Sequence, residues 1–191
     1  MDCTLIILAL PIVLPIFAVA AVLVAMDGRN PFYGQMRVGR DGRHFCMWKL
    51  RTMVHNADAL LEACLAADPQ ARQEWETTQK LKRDPRITFI GRFMRKTSID
   101  ELPQLLNVLN GTMSLVGPRP MMVCQKSSYP GTLYYEMRPG ITGMWQVSDR
   151  NECEFSQRAD YDDAYYQNLT FKTDVKILAQ TVGVVLKATG H

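Results

Sequence analysis

Residues 84–120 read DPRITFIGRFMRKTSIDELPQLLNVLNGTMSLVGPRP, and this stretch sets two adjacent carboxylates between clusters of arginine. Ile99, Leu102, Leu105, Leu106 and Leu109 recur at spacings of three and four, which predicts a helix over 99–110 with one apolar side. Ser98 stands three residues before Glu101, the spacing of a capping box, so Ser98 is expected as the N-cap. Asp100 and Glu101 would then sit in the first helical turn. Asn110-Gly111 turns the chain into a short apolar run, and Gly117-Pro118-Arg119-Pro120 presents a guanidinium on a stiff backbone.

The acidic pair supports two readings. First turns commonly carry Asp and Glu because a carboxylate complements the helix dipole, and Glu101 could do no more than cap. The neighbours suggest chemistry instead: Arg86, Arg92, Arg95 and Lys96 precede the pair, and Arg119 follows it. Guanidiniums bind phosphate oxygens in bidentate fashion and absorb charge on a transferring group. Mg²⁺ prefers carboxylate and phosphate oxygens. A carboxylate can itself attack phosphorus and form an acyl phosphate. The helix N-terminus and Arg95 are expected to hold Asp100 ionised for that role.

Upstream, residues 3–26 carry no charge, and Asp2 is the single charge in the first 26. A signal peptide fits poorly, because a positive n-region is missing and Arg29, Arg37, Arg40 and Arg43 crowd the far side. About 20 apolar residues suffice to span a bilayer, with the basic cluster holding the body in the cytoplasm. Pro11 and Pro15 complicate a simple span, since each costs about 3 kcal/mol in a helix interior. They favour a helix–bend–helix hairpin that re-enters the same leaflet, its freed carbonyls partnered at the bend. The residues alone leave span and hairpin open.

The body that follows reads as one domain of α/β character, mostly helical with short strands. Residues 30–53 suggest short strands around a hairpin loop at Arg40-Asp41-Gly42-Arg43. There Phe32, Tyr33, Phe45, Met47 and Trp48 mix with Arg37, Lys49 and Arg51, which suits either a lipid-headgroup interface or a core hairpin with a solvated basic face. Residues 56–82 are expected to be helical, with Leu60, Leu61, Cys64 and Leu65 on one stripe and Pro69 as an interruption. A last helix over 174–187 carries Val175, Leu178, Val182, Val185 and Leu186 on one face, to pack on the core or lie on lipid.

The chain has 191 residues, with 22 Lys plus Arg against 19 Asp plus Glu. So mild a charge, together with an apolar anchor, argues against nucleic acid as a partner despite the basic-aromatic interleaving at 32–51. Cys3, Cys46, Cys64, Cys124 and Cys153 are odd in number and contain no C-x-x-C pair, which argues against a disulfide framework or zinc site and for reduced thiols in a cytosolic compartment. His44, His55 and His191 have no ligand spacing, so any metal would be held by oxygen.

Along nearly the whole chain these segments resemble the bacterial sugar transferase family, the monotopic phosphoglycosyl transferases. Residues 35–42 (QMRVGRDG), 49–53 (KLRTM), 84–88 (DPRIT), 97–108 (TSIDELPQLLNV), 113–120 (MSLVGPRP), 138–143 (RPGITG) and 145–148 (WQVS) follow its ordered motifs. The resemblance implies a compact cytoplasmic domain over 29–191. It also implies a re-entrant membrane hairpin over 1–28, broken near Pro15, and amphipathic interfacial helices. It makes Asp100 and Glu101 the catalytic pair, with Asp100 as nucleophile and Mg²⁺ ligand. Arg95, Arg119, Arg86 and Arg138 become the phosphate-binding residues. The implied substrates are a UDP-hexose and undecaprenyl phosphate at the bacterial inner membrane, and a homodimer is compatible with the family.

Some positions depart from the family pattern. Leu14 stands for a common Ser, Asp149 for Gly and Leu169 for Trp, which bears on bend partners, sugar specificity and loop packing. Members carry Lys-Arg just ahead of the Asp2 position, and larger ones carry further spanning helices there. Two rivals remain. A non-catalytic membrane partner would have eroded Asp100, Glu101 or Arg119, and all three are present. A glycosyltransferase that moves the sugar without its phosphate would release a nucleoside diphosphate rather than a monophosphate.

Overall fold

The computed structural model describes residues 1–78, 81, 83–148 and 155–186. Asp149, Cys153 and His191, named above, and the far ends of the helices expected over 56–82 and 174–187 lie outside the described residues. The uncharged run forms one helix, α1 (Asp2–Ala25), with Pro11 and Pro15 inside it. The expected break does not interrupt the helix, because a proline removes one backbone donor and strains the turn without barring helical dihedrals on either side. By length and composition α1 can cross a membrane.

Both ends of α1 meet the body. Near the start, Ser114 Oγ donates to the Asp2 carboxylate at 2.7 Å, and Ile6 packs with Phe45, Met47, Val108 and Met113. Near the end, Ala20 and Val24 pack with Leu50 and Met94, and Arg51 donates to Asp27 at 2.7 Å. Between these contacts Leu8, Leu10, Ile12, Leu14 and Ile16 are exposed.

β1 (Phe32–Val38) and β2 (His44–Leu50) pair antiparallel, Phe32 opposite Leu50 and Val38 opposite His44. The turn between them places Asp41 at φ 56° and Gly42 at φ 70°. Asp tolerates this left-handed region through local hydrogen bonding and Gly has no Cβ to clash, so the expected hairpin loop forms. Alternation along β2 buries Phe45 and Met47 on one face and leaves Trp48 exposed on the other, where Leu50 is covered by Ala20, Val24 and Met94; Phe32 and Tyr33 on β1 are exposed as well. The hairpin is thus both core and surface.

α2 (Ala57–Ala67) and α3 (Pro69–Thr78) follow, with Pro69 opening the second helix rather than interrupting one. The leucine stripe of α2 contributes no buried residue. α4 (Phe89–Thr97) is capped by Thr88, whose Oγ1 accepts from the Gly91 N–H at 2.9 Å. Gly91 lets α4 lie against the hairpin exit, for a Cβ there would stand 2.1 Å from the Thr52 carbonyl oxygen.

The expected helix over 99–110 divides into a 3₁₀ turn, Ile99–Glu101, and α5 (Gln104–Leu109), with Pro103 between them. The capping box does not form. Ser98 is left-handed at φ 56° because it terminates α4, its N–H bonding back to Arg95 O, and its side chain caps nothing. Asn107 ties α5 to β2, accepting from the Trp48 N–H at 3.1 Å and donating to Cys46 O at 2.8 Å.

β3 (Ser114–Val116) pairs in parallel with β4 (Gly140–Thr142). A Cβ on Gly117 would lie 2.4 Å from Arg138 O, so the two segments cross here at backbone contact. Three further helices follow, α6 (Met144–Val147), α7 (Arg158–Gln167) and α8 (Phe171–Leu186). Ile177 of α8 is buried with Val116 and Tyr165 while Val182 and Val185 are exposed, so that helix both packs on the core and presents apolar surface. Cys3, Cys46, Cys64 and Cys124 are free thiols.

Candidate active site

A cavity of about 660 Å³ opens where the hairpin exit, the end of α4 and the Gly117–Pro120 segment converge. Its walls carry Lys49, Arg95, Asp100, Glu101, Arg119 and Arg158. The local reason for the acidic pair's position is the reversal at Ser98. A left-handed residue ends α4 and starts a tight turn at once, so the turn holding Asp100 abuts the last turn of α4, which holds Arg95.

Asp100 is only 6% exposed. Lys49 Nζ lies 2.7 Å from Glu101 Oε1 and 3.7 Å from Asp100 Oδ2, so one ammonium serves both carboxylates. Burial raises the Asp100 pKa above the ordinary carboxylate value; Lys49 and Arg95 pull it down and Glu101 pushes it up. The expectation that the helix start and Arg95 would govern its charge is therefore corrected, since desolvation is the largest effect. Arg95 is itself buried enough to lower its pKa, and its Nε donates to Thr52 Oγ1 at 2.9 Å, which fixes the guanidinium.

The other wall is a group of guanidiniums. Arg37 donates from Nη1 to Pro120 O at 3.1 Å and from Nη2 to Gln35 at 2.6 Å. Arg158 donates to Arg119 O at 3.2 Å and stacks 4.6 Å from the Trp145 ring centroid. Arg37 and Arg158 thus hold the Pro-Arg-Pro backbone on which Arg119 is mounted. Burial, with Arg119 and Arg158 nearby, pushes Arg37 down to about 10. Cations that depress one another in this way form a site for an anion.

The two other arginines expected at phosphate do not line the cavity. Arg86 is committed to Asp84, its Nη2 2.7 Å from Oδ2 and its Nε 2.9 Å from Oδ1. That pairing within D-P-R closes a turn, and the Arg86 N–H bonds to Asp84 as well. Arg138 faces the start of α1, with Nη2 3.7 Å from Asp2 Oδ2. Conversely, the sequence points to no role for Thr52 and Arg158, and to Arg37 and Lys49 only as part of a basic-aromatic face, yet all four line the cavity. Lys49 and Thr52 fall in the KLRTM segment, a signal that could have been used. Arg158 sits in no motif, and only the fold brings it in.

Among the described residues no group of three or more His, Cys, Asp or Glu side chains could hold a metal. Mg²⁺ needs no such cage: one or two carboxylates with phosphate oxygens and water complete its octahedron. Asp100 and Glu101 fit that minimal donor set. A buried carboxylate, its ammonium partner and flanking guanidiniums can bind a phosphorylated ligand and present one nucleophilic oxygen to it.

Fold and site together define a class: an α/β domain bearing a long apolar helix and a cavity built for anionic ligands. The chain belongs to the bacterial sugar transferase family, whose model matches residues 1–188. It is 49% identical over 181 residues to a UDP-galactose-lipid carrier transferase of Erwinia amylovora, covering 94% of this chain and 38% of that protein. It is 51% identical over 169 residues to an undecaprenyl-phosphate galactose phosphotransferase of Salmonella typhimurium, covering 87% of this chain and 36% of the relative. To the exopolysaccharide production protein ExoY of Sinorhizobium fredii it is 41% identical over 192 residues, 99% of this chain and 85% of that one. The chain spans little more than a third of the first two relatives.

Proposed function

We propose that the protein is a phosphoglycosyl transferase that moves hexose 1-phosphate from a UDP-hexose to undecaprenyl phosphate. The products would be UMP and undecaprenyl-diphosphate hexose, as the initiating step of exopolysaccharide or related glycoconjugate synthesis. The observation that carries the reading is the buried Asp100, 3.7 Å from Lys49, in a cavity it shares with Arg95 and Arg119. The names of the Erwinia and Salmonella relatives support the donor and acceptor classes.

In the proposed reaction an Asp100 oxygen attacks the sugar-bearing phosphorus. The bond from that phosphorus to the bridging oxygen breaks, and UMP leaves with the electron pair. Asp100 then carries the sugar phosphate as an acyl phosphate. A phosphate oxygen of the acceptor attacks the same phosphorus and releases the Asp100 carboxylate. Arg95 and Arg119 hold phosphate oxygens throughout, and Lys49 keeps Glu101 beside the nucleophile. Asp100, with Glu101, would hold Mg²⁺, which supplies charge neutralisation at the diphosphate. Arg86 and Arg138 are assigned to positioning: Arg86 braces the turn before α4, and Arg138 the α1 docking site.

For the membrane, residues 1–28 are the anchor and 29–191 the catalytic domain, on the cytoplasmic face of the inner membrane. The anchor is read as re-entrant because both ends of α1 dock on one body while its middle stays bare. Phe89, 91% exposed, and Phe93, one turn on, make α4 an interfacial helix. The deciding experiment supplies a panel of UDP-hexoses with polyprenol phosphate and identifies the released nucleotide. UMP is expected; UDP would replace this reading with transfer of the sugar alone.

A further inference from the structure

A second cavity, of about 250 Å³, opens beside the first and shares Ser98, Glu101 and Arg119 with it. Its remaining walls are largely apolar, among them Leu102, Leu105, Ile141 and Val147. Gln146 also lines it, only 7% exposed, and neither Oε1 nor Nε2 has a hydrogen-bond partner among the described residues. Native folds rarely retain a buried amide with both ends unpaired, so such a group points to a ligand that completes it. The side chain is also confined, since a Cβ on Gly143 would come within 2.9 Å of Gln146 Oε1.

We infer that this smaller cavity is the sugar subsite of the donor, and that Gln146 sets which hexose is accepted by hydrogen-bonding its hydroxyls. The inference rests on the phosphoglycosyl transfer reading. If the reacting phosphorus meets Asp100, the hexose lies one bridging oxygen away and must occupy space adjoining Glu101 and Arg119. The larger cavity takes the nucleotide and diphosphate, which leaves the smaller one for a single ring. An amide offers donors and an acceptor together, matching neighbouring hydroxyls or a hydroxyl beside an acetamido carbonyl. The apolar walls suit the C–H face of a pyranose. They would also suit the first isoprene of the acceptor, but hydrocarbon would leave the amide unsatisfied, and the sugar is therefore the occupant favoured.

The test uses the full chain in lipid nanodiscs with polyprenol phosphate. It measures kcat/KM by nucleotide release for UDP-glucose, UDP-galactose, UDP-N-acetylglucosamine and deoxy analogues of the best donor. The wild type should prefer its best donor over the epimer or deoxy analogue lacking the contacted hydroxyl by about tenfold or more, the ratio one net hydrogen bond supplies. In Gln146→Leu that ratio should collapse to within about threefold, with UMP inhibition and melting temperature preserved. Unchanged donor ranking in Gln146→Leu overturns the inference. So does an equal loss for all donors accompanied by a lower melting temperature, which marks a structural amide. A change confined to the KM for polyprenol phosphate overturns it in favour of the isoprene. Absence of UMP from every donor in the wild type sinks the transfer reading itself, and this inference with it.

Discussion

Asp100 shows a conflict at the scale of one residue. A carboxylate whose pKa is raised by burial is held at a disadvantage to the fold, because its charged form prefers water. Asp100→Asn should abolish nucleotide release and any phosphosugar adduct while leaving the melting temperature equal or higher. A clear drop in melting temperature would point to a structural carboxylate. Lys49 lowers the Asp100 pKa. Its replacement in Lys49→Met should therefore move the acid limb of the pH–rate profile upward, in addition to lowering kcat by about a hundredfold. An unmoved limb would mean that the ionisation of Asp100 does not govern the rate.

Asp162 does not line the cavity. Burial pushes its carboxyl up to about 6, against the opposing pull of the Tyr129 hydroxyl, which donates to it at 2.5 Å, and of Arg158. Its folded-state pKa exceeds the unfolded value of 3.8, so the folded state binds the proton more tightly between those pH values. Its contribution to stability is greatest at low pH, falls as pH rises to about 6, and is flat above. The difference between pH 4 and 7 is about 2 kcal/mol. Melting curves should show less pH dependence in this window for Asp162→Asn than for the wild type.

At the scale of elements, α4 and the turn after it do two jobs. Thr88 starts the helix, Gly91 seats it against Thr52, and Ser98 ends it in a left-handed turn that presents the acidic pair. Gly91→Ala puts a methyl group 2.1 Å from a carbonyl oxygen and cannot be accommodated by a rotamer change. A loss of about 2–3 kcal/mol in urea denaturation is expected, of the order seen for overpacking. Activity should fall further than stability, since Arg95 rides on the same helix. The apolar period of residues 99–110 does not mark the inward side: Gln104, Asn107 and Val108 are buried, while Leu106 and Leu109 of the expected stripe are exposed. It misses the division into a 3₁₀ turn and a short helix, because Ser98 is held left-handed by the preceding helix rather than by its own spacing to Glu101.

At the scale of the whole molecule, α1 decides how the protein meets a bilayer. A straight span would carry one end of a 24-residue helix away from the body, yet Asp2 and Ile6 contact the body as Val24 and Asp27 do. Single cysteines placed near residues 2 and 28 in a cysteine-free background should both label from the cytoplasmic side. Labelling of one end only from the far side would establish a span. The composition of this segment was plain from its residues; where its ends go was not, since a run of Leu, Ile and Val has no preferred partner until a surface is presented.

The sequence by itself determined what depends on neighbours in the chain. These are the apolar helix, the hairpin turned at Asp41-Gly42, the Asp100–Glu101 pair and, through ordered motifs, the family. Tertiary structure alone decided which charges meet. It brought Lys49 to both carboxylates and Arg158 behind Arg119, bound Arg86 to Asp84, sent Arg138 to the start of α1, and left Gln146 in a wall with no partner among the described residues. The physical reason is range. Turns and helical periodicity are settled within a few residues, whereas an ion pair or a buried orphan amide depends on what the folded chain places within a few ångströms, and no spacing along the sequence encodes that distance.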